Sequence, residues 1–96
     1  MSKTEILEIL KEFKIKNKER YQFKNIGLFG SVARGDSTIN SDIDIVIEQE
    51  NPDLFLLGDI KTDLEELFGR NVDIVRLREN MNPYLFKRIK RDVVYV

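Results

Sequence analysis

The chain has 96 residues with a formal net charge of −1, 42% hydrophobic and 34% charged, which suits one globular domain over residues 1–96 with a modest core. It contains no cysteine and no histidine, which excludes disulfides, zinc–thiolate sites, a cysteine nucleophile and any imidazole base or ligand. A metal here must sit on oxygen, which favours magnesium, manganese or calcium.

Ser2-Lys3-Thr4-Glu5 has the spacing of a capping box, and Ile6, Leu10 and Phe13 follow at helical intervals. Residues 3 to about 18 are therefore expected to form an amphipathic helix. Ile26 to Phe29 is a short apolar strand ending at Gly30-Ser31, with a brief helical turn and then a polar loop through Ser41. Asp42 to Glu48 alternates acid and aliphatic, the pattern of a strand. Asn51-Pro52-Asp53 breaks the chain, and Leu57, Ile60, Leu64, Leu67 and Phe68 keep helical spacing up to a left-handed stop at Gly69. Asn71 to Leu77 is a third strand with Asp73 inside it. Pro83 opens a last helix to about Arg91, and Asp92 to Val96 is a candidate edge strand. The fold class is α/β (α+β), a single unit with helices packed on a short mixed sheet.

The longest apolar run, Leu54 to Leu57, is far short of the ~20 residues that span a bilayer. The charged start lacks an apolar signal core, so a cytoplasmic location without membrane association is expected. Basic residues cluster early (Lys11 to Lys24) and late (Arg76 to Arg91), and both clusters are read as solvated helix faces. The balanced net charge argues against dedicated nucleic-acid binding. Tyr21, Phe23, Tyr84 and Phe86 are read as core or rim packing rather than base-stacking platforms.

Side chains two apart on a strand share a face, so Asp42 and Asp44 point one way while Ile43, Ile45 and Ile47 point into the core. Val46 lies on the acid-bearing face. Asp73, between Val72 and Ile74, is either a solvent-facing strand residue or a third acid of the same site. Gathered carboxylates resist desolvation unless a cation or proton compensates them. With no histidine, and few basic residues expected near these strands, a divalent ion is the simplest compensation. Paired magnesium ions would hold attacking and leaving oxygens in line at phosphorus. Gly30 lets the backbone approach a phosphate, and Ser31 can donate to it. Arg34 is either a surface residue or a phosphate ligand; Ser41 either closes the loop or touches phosphate. Alone, an Asp-x-Asp pair or a Gly-Ser turn is common on surfaces, and Asp-x-Asp also occurs in glycosyltransferases.

The conjunction is more specific. Gly30-Ser31, ten residues, then Asp42-Ile43-Asp44, with a later strand acid, resembles the nucleotidyltransferase signature of the DNA polymerase β superfamily. Gly30-Ser31-Val32-Ala33-Arg34-Gly35 followed by Ser41-Asp42-Ile43-Asp44 is similar to its minimal (MNT-type) branch, related to kanamycin nucleotidyltransferases. The resemblance covers nearly the whole chain. It implies Asp42, Asp44 and Asp73 as catalytic metal ligands for magnesium, and Gly30 and Ser31 as phosphate contacts, with Arg34 and Ser41 as further candidates. It also implies ATP as co-substrate and a HEPN-domain toxin as partner, silenced by AMP attached to a tyrosine. A non-catalytic antitoxin or a nucleotide sensor would be the alternatives. No acceptor-shaping second domain is present, so the acceptor side is expected from another chain, either a second copy or a different protein.

Overall fold

A computed structural model describes all residues, Met1–Val96. Helix α1 spans Lys3–Lys16 and opens with the expected capping box: Glu5 N–H donates to Ser2 Oγ at 3.1 Å, and Ser2 N–H to Glu5 Oε1 at 3.2 Å. It stops at Lys16, short of the expected 18, where Asn17 leaves the helical conformation (φ −111°, ψ 14°) and caps the last turn with a side-chain N–H donated to Phe13 O. A short helix α2, Lys18–Tyr21, follows and ends in a left-handed Gln22 (φ 52°).

Strand β1 runs Phe23–Phe29, three residues earlier than the apolar run alone indicates. Its polar start at Lys24-Asn25 is carried by Phe23, which packs at a tilt against the stacked rings of Phe13 and Tyr21 in the core. Helix α3 is Gly30–Arg34 and strand β2 is Ile43–Gln49. Helix α4, Leu54–Phe68, is capped by the Asp53 carboxylate and closed by Gly69 at φ 63°. Strand β3 is Val72–Arg76, helix α5 is Pro83–Asp92, and the edge strand β4 shrinks to Val94–Tyr95.

The sheet order is β3-β2-β1-β4. β1 pairs antiparallel with β2 and with β4, while β2 pairs parallel with β3. The parallel pair requires a crossover, which α4 provides. Ile43, Ile45 and Ile47 face α1 and α4 in a large cluster with Ile6, Leu10, Ile60 and Leu64. Each such side chain stabilises the fold by about 1.5–3 kcal/mol relative to exposure. On the opposite face, Phe29 and Val46 pack beneath Ile89 of α5 and Met81. The sheet is thus covered on both sides, but the α5 side is thinly covered. The acid-bearing residues of β2 lie on that side. No helix is long and apolar enough to cross a membrane.

Candidate active site

Three strand ends meet at one end of the sheet. β1 finishes at Phe29, opposite Asp44 near the start of β2; Asp44 in turn pairs with Asp73 in the parallel register of β3. Paired residues in neighbouring strands present their side chains to the same face. Asp44 and Asp73 are therefore fixed side by side by backbone hydrogen bonding, on the face that carries Phe29 and Val46. Asp42 precedes β2 by one residue and is exposed, as is Asp73, whereas Asp44 is half-buried.

The strand end also explains Gly30. Its φ is 74°, a conformation L side chains rarely adopt. A β-carbon there would stand 2.1 Å from Asp44 Oδ2. The turn into α3 is consequently pressed against the Asp44 carboxylate, and Ser31 follows directly. Gly35, at φ 82°, allows the chain to leave α3 tightly.

Asp44 is held above the ordinary carboxylate range, first by burial, then by repulsion from Asp73 and Asp42; Arg88 and Arg34 partly offset this. A half-buried carboxylate facing two more favours added positive charge. As the side chains lie, no trio of acids closes around a single point. The residues nevertheless suit an oxygen-bound divalent ion in donor chemistry and in the Asp44–Asp73 register.

The remaining candidates divide. Arg34 is exposed, and its guanidinium is engaged by two carboxylates: Nε donates to Asp36 Oδ2 at 3.1 Å and Nη1 to Asp92 Oδ2 at 2.8 Å. Ser41 closes its loop, accepting from Thr38 N–H at 2.9 Å. The expectation that few basic residues lie near these strands is corrected by α5, whose Arg88 is among the cations acting on Asp44. Tyr84 is also not packing, being 77% exposed, whereas Tyr21 and Phe23 are in the core. Two residues were missed in the sequence. Arg70, just before β3, donates to Ser41 O and so ties the approach to Asp42 to the approach to Asp73. Asp92 ends α5 with a side chain only 3% exposed. Neither belongs to a motif; Asp92 is marked only by lying four residues, one helical turn, after Arg88.

Comparison with known proteins identifies the family. The family model of the nucleotidyltransferase domain matches residues 7–96. A Methanocaldococcus jannaschii protein, provisionally named a protein adenylyltransferase, is 42% identical over 97% of this chain and 96% of its own. The protein adenylyltransferase MntA of Thermococcus cleftensis is 37% identical over 96% of this chain and 93% of its own. A crystal structure of a toxin–antitoxin with AMP-PNP superposes with a TM-score of 0.70 at 26% identity, covering 84% of this chain and 67% of that one. With its sheet, its Gly-Ser turn and its facing acids, the chain belongs to the nucleotidyltransferase domain family.

Proposed function

We propose that the chain transfers AMP from ATP to a hydroxyl of a partner protein, a tyrosine of a HEPN-domain toxin, and thereby acts as the antitoxin. The observation that carries this reading is the juxtaposition of Gly30 with Asp44, and of Asp44 with Asp73, at one end of the sheet. Relatives named protein adenylyltransferases and the toxin–antitoxin structure with AMP-PNP support the donor and the type of partner.

In this reading the Gly30-Ser31 turn receives the triphosphate, where the missing β-carbon gives the backbone close access. Asp42 and Asp44 would hold magnesium on the donor side, with Asp73 completing the set. Magnesium, when bound, supplies charge neutralisation at the phosphates and lowers the cost of ionising the acceptor hydroxyl. The acceptor oxygen attacks the α-phosphorus, a P–O bond forms, and the bond to the β,γ-pyrophosphate breaks. Asp73, the more exposed of the paired acids, takes the hydroxyl proton on a carboxylate oxygen. Positioning and electrostatics account for most of such a rate. The acceptor must enter from solvent, because the Asp73 side of the sheet is an open edge.

The test incubates the chain with magnesium, α-labelled ATP and a HEPN-domain partner encoded beside it. Label is expected on a partner tyrosine, with loss of labelling in Asp42→Asn and Asp44→Asn. Toxin neutralisation that persists undiminished in Asp44→Asn would instead assign antitoxin action to occlusion alone. Nucleotide binding with no labelled product would assign a sensor.

A further inference from the structure

Asp92, the last residue of α5, is half-buried, and its side chain is covered to 3% exposure by two exposed arginines. Three charge-assisted hydrogen bonds hold it: one from Arg34 Nη1 at 2.8 Å, and two from Arg91, Nε at 2.8 Å and Nη2 at 3.0 Å. A carboxylate with both oxygens engaged in this way is a well-oriented acceptor.

Its effect on Arg34 follows from donor counting. A guanidinium has five N–H groups in a planar fork. Asp36 takes the Nε–H and Asp92 takes one hydrogen of Nη1, so one hydrogen on Nη1 and both on Nη2 remain unclaimed. Two carboxylates on two edges fix the plane of the fork. Arg34 lies four residues after Gly30, on the short helix that leaves the turn pressed against Asp44. Arg88, one turn before Asp92 on α5, is the other cation acting on Asp44.

We propose that Asp92 is a positioning residue, which fixes the Arg34 guanidinium so that its unclaimed N–H groups meet the phosphates of the bound nucleotide. This rests on the reading of Gly30 to Arg34 as the triphosphate turn. It makes the C-terminal end of α5 part of the donor site, although no nucleotide-binding pattern in the sequence reaches that far. The competing account is a plain staple, in which the pair ties α5 to α3 and does nothing for the ligand.

The full-length protein is titrated with AMP-PNP in the presence of magnesium, and Kd and Tm are measured for Arg34→Gln, Asp92→Asn, Asp92→Glu and the double variant Arg34→Gln/Asp92→Asn. Asp92→Asn is expected to raise Kd about tenfold, and Arg34→Gln at least as much. The double variant should be no weaker than Arg34→Gln alone, because Asp92 acts only through that side chain. Asp92→Glu keeps the charge one methylene displaced and should recover part of the affinity; it also serves if Asp92→Asn does not fold. A fall in Tm with unchanged Kd in Asp92→Asn and Asp92→Glu overturns the proposal and leaves the staple. Weak binding by Arg34→Gln together with normal binding by the Asp92 variants overturns it while leaving the triphosphate turn intact. Normal binding by Arg34→Gln removes Arg34 from that turn, and this proposal with it.

Discussion

A β-carbon built on Gly30 falls 2.1 Å from Asp44 Oδ2 and 3.0 Å from Asp44 Cγ. The Asp44 backbone is held by pairing with Phe29 on one side and Asp73 on the other, so the carboxylate itself must turn aside. Gly30→Ala should therefore displace Asp44, the residue most central to the site, as well as straining φ. The left-handed conformation alone costs about 1–2 kcal/mol, or about 4–16 °C in Tm for a domain of this size. Displacing a reacting group by an ångström costs about 100-fold in rate. Gly69→Ala is the control: its φ is 63°, but nothing lies within 4 Å of its added carbon. Both variants should lose similar stability, and only Gly30→Ala should lose AMP transfer on that scale. Equal loss of transfer in the two would show that the contact with Asp44 is irrelevant.

Asp44→Asn separates stability from activity. Burial and the facing Asp73 and Asp42 raise the Asp44 pKa above its ordinary 3.8. A raised folded-state pKa means that ionisation is harder in the folded protein. The protonated group's contribution is present below the unfolded pKa and is lost as pH rises through the folded one. Without metal, the variant should match or exceed the wild-type Tm at neutral pH, and the gap should narrow as the medium is acidified. Transfer should fall by about 10³-fold or more. A variant that melts well below wild type at neutral pH would mean that Asp44 is a structural acceptor rather than a carboxylate kept for a cation.

Much of this arrangement is legible in the sequence because its signals are local. Ser2 with Glu5 and Gly69 after Phe68 mark helix ends by short-range hydrogen bonding and a left-handed turn. The alternation in Ile43 to Ile47 separates the core face from the acid face. The parallel register that puts Asp73 beside Asp44 is different. It depends on how α4 returns the chain across the sheet, and no spacing rule states it; there the motif resemblance supplied what periodicity does not. Arg70 with Ser41, and Asp92 with Arg34, were hidden for the same reason, being separated by 29 and 58 residues. The late basic cluster looks like a plain solvated face in the sequence, but α5 packs on the acid-bearing face through Ile89, which brings the exposed Arg88 within electrostatic range of Asp44.

The acid limb of unfolding should report on Asp92. The two arginines hold its pKa down to about 2 from an ordinary 3.8, with Arg91 the largest influence. A lowered folded-state pKa contributes stability that is fully present above the unfolded value and is lost as pH falls through the folded one. Between pH 3.8 and about 2, wild type should therefore lose stability more steeply than Asp92→Asn, which has no such proton to take up. Circular dichroism melts at closely spaced pH values measure the two slopes. Parallel curves across that window would mean that the carboxylate is not held as the structure shows.

Magnesium should act on the fold as well as on the reaction. A ligand that binds only the native state stabilises it by RT ln(1 + [L]/Kd), about 1.4 kcal/mol at tenfold excess over Kd. At about 4–8 °C per kcal/mol for a domain of this size, Tm should rise by about 6–11 °C. The gain arises where the ion relieves repulsion among Asp42, Asp44 and Asp73, so it should disappear in Asp44→Asn and persist in Asp92→Asn, whose carboxylate is already neutralised by Arg34 and Arg91. Sodium chloride of equal ionic strength should give a much smaller shift, since screening weakens exposed pairs more than partly buried ones. An equal rise in wild type and Asp44→Asn would place the magnesium effect elsewhere on the surface, and the paired acids at the end of the sheet would then have to be explained without a metal.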